Sequence, residues 1–259
     1  MDKLLSTAIN AAKEAAKIQL EYMDKELDIE TKASEFDLVT QADKLAEAKI
    51  IEVISKEFPT HSFLAEESGE NIKDSDYLWI IDPIDGTVNY AHRFPQFCCS
   101  IGLYCKGEAI LGVVYDPCRK ELFHSIKGQG SFLNNKKMQV SKIDTLTRAL
   151  LATGFPALRD ELLQKNLGYF KAFLGKCQAI RRPGSAALDL CYVACGRIDG
   201  FWELGLSPWD TAAGALMITE AGGLITNLDN DYFDINIKGL IATNGLLHSP
   251  IKDVIRQNG

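Results

Sequence analysis

The residues of this chain with the plainest chemical potential are two aspartates three positions apart, in the run Trp79-Ile80-Ile81-Asp82-Pro83-Ile84-Asp85-Gly86-Thr87. An apolar stretch of strand character leads straight into Asp82. Pro83 fixes its own φ and holds Asp82 in extended backbone, and Gly86 permits a turn or a close backbone approach. Thr87 is placed to cap a short helix, which would turn the N–H groups of Gly86 and Thr87 toward an anion. Two carboxylates this close repel, and burial raises the pKa of at least one unless a cation compensates. A hard divalent cation held by oxygen ligands is the simplest compensation, and Mg²⁺ suits carboxylates plus a substrate phosphate. Taken alone, Asp-Pro-x-Asp-Gly is also ordinary turn chemistry.

Other acids fall in comparable places. Glu66-Glu67-Ser68 closes another strand candidate, Trp209-Asp210 opens a helix, and Asp43 follows Asp37-Leu38-Val39-Thr40 at the start of a further helix. Four acidic spots at strand ends or helix starts can converge on one cleft. None includes His or Cys, which favours Mg²⁺ over Zn²⁺.

The elements that must position these acids are read from periodicity. Apolar residues at 4, 5, 8, 11, 12, 15, 18 and 22 predict one amphipathic helix over 2–25, and a second fits Ala42 to Phe58, ended by Pro59. Residues 27–40 read as a loop or short strands. Short apolar runs at Ser62–Ala65, Tyr77–Ile81, Phe97–Cys105, Ala109–Tyr115 and Glu121–Ser125, separated by turn residues, predict an antiparallel meander. Asn134-Asn135-Lys136-Lys137 reads as a hairpin loop. Beyond residue 145, strands at Ala149–Thr153, Cys177–Arg181, Gly200–Glu203, Gly223–Thr226 and Leu240–Ala242 alternate with helices near Arg159–Phe173, Ser185–Cys195, Thr211–Ala221 and Leu246–Arg256. That alternation predicts an α/β half. No linker divides the chain, so one compact domain over 1–259 is expected, with sub-regions at about 1–145 and 146–259.

Composition narrows the classes. Of 259 residues, 46% are hydrophobic and 24% charged, which excludes disorder and a small disulfide scaffold. Formal net charge is −7, against direct nucleic-acid binding, which needs a basic face. Seven cysteines form no CxxC and no cluster with His, so they read as reduced, mostly buried thiols, with Cys191 and Cys195 on one helix face. Cys98-Cys99 has redox activity as its alternative. Neither a signal peptide nor a membrane-spanning run is found, and a cytoplasmic protein is expected. Arg181-Arg182 could bind phosphate or a partner chain, or be a solvated basic pair. His92 and Arg93 read as structural or interface residues, and His61, His124 and His248 as structural or exposed.

The acidic motifs, in their order and spacing, resemble those of the inositol monophosphatase family. The likeness extends to Asp37-Leu38-Val39-Thr40, His92-Arg93-Phe94-Pro95, Gly184-Ser185-Ala186-Ala187, Trp209-Asp210-Thr211-Ala212-Ala213-Gly214 and Glu220-Ala221-Gly222-Gly223. It implies a layered αβαβα fold, α/β (α+β), with a mainly antiparallel sheet first, a mixed sheet second and the metal site between them. It further implies that Glu66, Asp82, the carbonyl of Ile84, Asp85 and Asp210 hold two or three Mg²⁺ ions, Asp82 bridging two. Asp43 and Thr87 would orient the attacking water, with Glu66 or Asp43 taking up its proton and Lys32 and Glu67 further out. Gly86 and Thr87 would bind phosphate oxygens, and Asp85, Gly184, Ser185, Ala186, Glu203 and Asp210 the substrate's hydroxyls.

The activity implied is hydrolysis of a phosphate monoester, an inositol monophosphate first, with fructose bisphosphate and other sugar or nucleotide phosphates as alternatives. Li⁺ inhibition and a homodimer are implied as well, and bacterial relatives add a possible role in transcription complexes. Ala65 stands where many members have Gly, Ser185 where animal members tend to have Thr, and Val88 where Thr is common. None removes a metal ligand. The acidic balance is then no obstacle to an anionic substrate, because five of the 35 acids are assigned to a site that would recruit dications.

Overall fold

The computed structural model describes residues 1–32, 34–156 and 161–258. In chain order the elements are α1 (Asp2–Met23), β1 (Ile29–Thr31), β2 (Leu38–Thr40), α2 (Gln41–Glu57), β3 (Ser62–Ala65), β4 (Gly69–Asn71), β5 (Tyr77–Asp85), α3 (Thr87–Ala91), β6 (Cys98–Cys105), β7 (Glu108–Asp116), β8 (Glu121–Ile126), β9 (Gly130–Leu133) and β10 (Lys136–Lys137). The second half continues with β11 (Leu150–Thr153), α4 (Glu161–Leu174), β12 (Ala179–Arg181), α5 (Ala186–Ala194), β13 (Gly200–Leu204), α6 (Pro208–Glu220), β14 (Leu224–Asn227), β15 (Gly239–Thr243) and α7 (His248–Arg256).

Two large sheets alternate with three helical layers, the αβαβα arrangement expected, and β1 and β2 form a separate antiparallel pair. The first sheet has the order β10-β9-β8-β7-β6-β5-β3-β4 and the second β12-β11-β13-β15-β14. On one side of the first sheet, the Ala8, Ala11, Ala12 and Ala15 face of α1 and Ala46, Ile50 and Ile54 of α2 pack against Trp79, Ile81, Ile101 and Val113. Small residues on α1 let the two helices and the sheet approach closely. Between the sheets, Leu190, Val193 and Met217 of α5 and α6 pack against Val114 and Phe123 on one side and Phe201 and Ala242 on the other. Phe173 of α4 and Ile251 of α7 cover the outer face of the second sheet at Trp202 and Ile241.

Glycines set how near α6 lies to the first sheet. A Cβ at Gly102 would come within 2.7 Å of Ala212 Cβ, and one at Gly112 within 2.7 Å of the Ala213 carbonyl oxygen. This close seat brings the start of α6 to the end of β5.

Several expectations are corrected. The first sheet is not wholly a meander, since β3 runs parallel to β5. Strand β4, pairing with the edge of β3, has no apolar pattern and was not expected from sequence. Strand β5 continues through Asp82 and Pro83 to Asp85, four residues beyond its apolar run. Its pairing with β6 breaks register between Asp82 and Asp85, which accommodates a proline in an interior strand. The hairpin turn falls at Asn134 and Asn135, both at positive φ, whereas Lys136 and Lys137, expected in the loop, form β10 paired with β9. The expected start of the helix at Arg159 lies outside the described residues.

Candidate active site

The register break in β5 makes the acidic loop. Asp82 Oδ1 accepts the N–H of Ile84 at 2.9 Å, and the Pro83 carbonyl accepts Gln19 Nε2 of α1 at 2.6 Å. Gly86, at φ +96°, turns the chain into α3. A Cβ there would stand 2.9 Å from the Gln96 carbonyl oxygen and 3.1 Å from that of Gly184, so only glycine fits. The expected cap differs: Gly86, not Thr87, is the N-cap of α3, and no side chain caps it. The Thr87 hydroxyl points elsewhere, 3.0 Å from the Ile84 carbonyl and 3.3 Å from Asp43 Oδ1.

Asp43 is held for that contact. Its Oδ2 accepts the Thr40 N–H at 2.9 Å and the Thr40 hydroxyl at 2.6 Å, a capping box that starts α2 directly from β2. Asp210 plays the same part at the start of α6, accepting the Ser207 N–H at 2.6 Å. The helix therefore begins at Pro208, three residues before its expected Thr211. Asp85 caps a helix from a distant strand. It accepts Ser185 Oγ at 2.5 Å and the N–H groups of Ala187 at 2.8 Å and Ala186 at 3.3 Å, at the start of α5. Cys98 Sγ lies 3.8 Å behind it.

Oxygens of Asp82, Asp85 and Asp210 lie within 4.8 Å of one another. All three are pushed above the ordinary carboxylate range, first by burial and then, for Asp82 and Asp210, by neighbouring carboxylates. Hydrogen bonds from Ser185, Ala187 and Ala186 partly offset the rise at Asp85. Glu66 is outside this tight group, but its carboxylate is near enough to push Asp82 up further. Burial raises Glu66 itself to about 7, against the pull of Lys32. Lys32 reaches Glu66 at 2.8 Å and Glu67 at 2.6 Å. Asp43 rises to about 6, again from burial first. An all-oxygen set of buried acids that resist ionisation fits a hard divalent cation, whose charge would remove the cost of keeping them ionised.

A cleft of about 420 Å³ joins these groups. Glu66, Asp82, Ile84, Asp85, Gly86, Thr87, Gly184, Ser185, Ala186, Glu203 and Asp210 all line it, and Asp43 lies just behind Thr87. Burial pushes Glu203 to about 8. A larger opening of about 620 Å³, beside Tyr104, Leu216 and Phe233, holds a single carboxylate, Asp234, and none of the cluster.

Some supporting residues had no signal in the sequence. Glu47 of α2 accepts the N–H groups of Glu67 and Ser68, both at 2.8 Å, and so fixes the turn that presents Glu66. Asn89 donates to the carbonyls of Gln96, Pro183 and Gly184, tying the acidic loop to the α5 entrance. Asp189 is a fully buried acid on α5 whose Oδ1 has no partner among the described residues. Of the basic pair, Arg182 lines the cleft, and the Arg181 side chain bonds the Ile180 carbonyl and no other group among the described residues. His92 lines the cleft, and the other three histidines are structural. His61 stacks on Phe58 and Tyr77 and accepts Trp79 Nε1–H, His124 stacks on Phe132, and His248 is buried between Thr226 and Thr243.

This arrangement is a buried, all-oxygen acidic cluster that could hold a divalent cation, set in a cleft of a two-sheet layered fold. Residues 1–258 match the inositol monophosphatase family, and the chain belongs to it. It is 44% identical over 228 residues to the inositol-1-monophosphatase of Synechocystis, covering 88% of this chain and 79% of that protein. It is 41% identical over 244 residues to the Nus factor SuhB of Pasteurella multocida, covering 93% and 91%. The structure of inositol monophosphatase from Anabaena superposes with a TM-score of 0.89 at 42% identity, over 100% of this chain and 97% of that one. An IMPase/NADP phosphatase complexed with Mg²⁺ and phosphate gives 0.85 at 29% identity, over 100% and 95%. Among the described residues no helix is long and apolar enough to cross a membrane.

Proposed function

We propose that the protein is a Mg²⁺-dependent phosphate monoester hydrolase that converts inositol monophosphate to inositol and inorganic phosphate. The observation that carries this reading is the approach of Asp82, Asp85 and Asp210 oxygens within 4.8 Å in a cleft that also holds Thr87 and Glu203. These three acids, Glu66 and the Ile84 carbonyl would hold two or three Mg²⁺ ions. When bound, Mg²⁺ supplies a water of lowered pKa and positive charge for the phosphate and the departing oxygen.

The chain's own groups do the rest. The Thr87 hydroxyl, fixed by Ile84 and Asp43, orients the attacking water, and Asp43 or Glu66 takes up its proton. Gly86 and Thr87 face the phosphate, and Ser185, Ala186 and Glu203 meet the hydroxyls of the polyol. Lys32 keeps Glu66 and Glu67 charge-paired until the cation arrives. Li⁺ inhibition and a homodimer belong to the same reading. The test is inorganic phosphate release from inositol, sugar and nucleotide phosphates, with Mg²⁺ and with a chelator. Turnover of none of them defeats the reading, and preference for another member of the panel replaces inositol monophosphate.

A second reading is a binding role in transcription complexes, favoured by the relatives named Nus factor SuhB. It predicts that an Asp82→Asn variant without phosphatase activity still complements a deletion and is retained by RNA polymerase.

A further inference from the structure

The cleft contains a cationic group that the proposed hydrolysis does not use. Seven carboxylates line it, but Arg182 is the one Arg or Lys among its described lining residues. Most of the carboxylates are committed to cation binding. The Arg182 side chain makes no hydrogen bond or ion pair among the described residues, and the residue is exposed. Elsewhere Arg119 pairs with Asp116 at 2.8 Å and Arg197 with Glu121 at 2.5 Å. Lys32, near the same cleft, is consumed by Glu66 and Glu67.

The Arg182 guanidinium lies over Gly184, whose φ is +86°, close enough that a Cβ there would stand 2.5 Å from Nη1. Asn89 fixes that backbone, donating to the Pro183 carbonyl at 2.9 Å and the Gly184 carbonyl at 3.1 Å. Arg182 lines the cleft together with Ser185, Ala186 and Glu203, the residues that the hydrolase reading sets against the leaving group. A planar guanidinium with unused donors matches the paired oxygens of a phosphate or carboxylate, whereas a neutral polyol offers it no anionic partner.

Resting on the hydrolase reading above, we infer that Arg182 is a specificity-determining residue that extends the substrates beyond inositol monophosphate to compounds bearing a second anionic group, a phosphate or a carboxylate, on the leaving-group side. The scissile phosphate is held at the acidic cluster, and Arg182 engages the other end of the molecule.

The experiment compares wild type with Arg182→Ala, Arg182→Gln and Arg182→Lys on four compounds. Fructose bisphosphate and phosphogluconate carry the second anion as phosphate and as carboxylate. Inositol monophosphate and glycerol phosphate carry none. The ratio of kcat/KM for the first pair to that for the second falls about 10- to 100-fold in the Ala and Gln variants, mainly through KM, and Lys restores part of it. Loss confined to fructose bisphosphate or to phosphogluconate identifies which anion is recognised. A ratio within about twofold of wild type, or an equal loss on all four compounds, overturns the inference. Calorimetric binding of the same compounds to the Mg²⁺-loaded protein gives the same ratio without turnover. A failure of the hydrolase reading, seen as no phosphate release by wild type, is thereby separated from a failure of this one.

Discussion

Replacing Asp82 by Asn separates the two roles of the acidic cluster, one adverse to the fold and one needed for the metal. Oxygens of Asp82, Asp85 and Asp210 lie within 4.8 Å of one another. At that separation and an effective dielectric of ~20, two full charges repel by about 3.5 kcal/mol. The buried acids respond by retaining protons, so the part expressed in the metal-free protein near neutral pH is about 2 kcal/mol. Asn keeps the shape and still accepts the Ile84 N–H now bonded to Asp82 Oδ1. Metal-free Asp82→Asn should therefore melt about 4–8 °C above metal-free wild type. Saturating Mg²⁺ should raise the wild-type midpoint, by linkage worth about 2.7 kcal/mol at 100 times Kd, and leave the variant nearly unmoved. Differential scanning calorimetry with and without Mg²⁺ reads both effects. A metal-free variant no more stable than wild type, or one that gains as much from Mg²⁺, refutes the reasoning. The metal-free wild type should also lose stability as pH rises from about 4.5 to 7, because Glu66 holds its proton to about 7 when folded and releases it earlier when unfolded.

Three further outcomes are expected. Thr87→Ala removes the hydroxyl between Ile84 and Asp43 and should lower kcat by about 100-fold while leaving the Mg²⁺-induced rise in melting temperature intact; unchanged turnover at saturating metal contradicts the water-orienting role. Gly86→Ala forces a side chain into φ +96° and within 2.9 Å of the Gln96 carbonyl, and chemical denaturation should show a loss of about 2 kcal/mol or more, together with lost activity. His248, desolvated between Thr226 and Thr243, has its pKa lowered to about 4. Its NMR titration midpoint should lie near there, and its contribution to stability falls between pH 6.5 and 4 as the unfolded chain takes up the proton first; a midpoint near 6.5 contradicts this.

Much of the site is written in local sequence because its acids sit where local rules already fix the backbone. Asp82 follows an apolar strand and precedes proline, and Asp43 and Asp210 are each the third residue of a helix whose Thr40 or Ser207 they cap in return. Spacing along the chain therefore located them, and the αβαβα layering followed from the family likeness their motifs carry. The edges of elements were less legible. Asp85 belongs to β5 only because that strand survives a register break at Pro83, and α6 starts early because Ser207 and Asp210 close a capping box.

Tertiary structure decided what those acids face. Asp85 caps α5, a hundred residues further along the chain, and no local pattern contains that hydrogen bond. Gly102 and Gly112 read as unremarkable strand residues until α6 lies against them and delivers Asp210. Lys32 and Glu47 act through partners remote in sequence, and Asn89 reaches Pro183 and Gly184 as well as the nearer Gln96. Arg182 differs from its neighbour Arg181 only in where the folded chain puts it, since both are the same residue type in one basic pair. Residue type and spacing dictated which groups can bind a cation and start a helix, because capping and strand geometry are short-range. Which of them converge, how deeply they are buried and which charge is left unpaired depend on packing between layers, and only the fold supplies that.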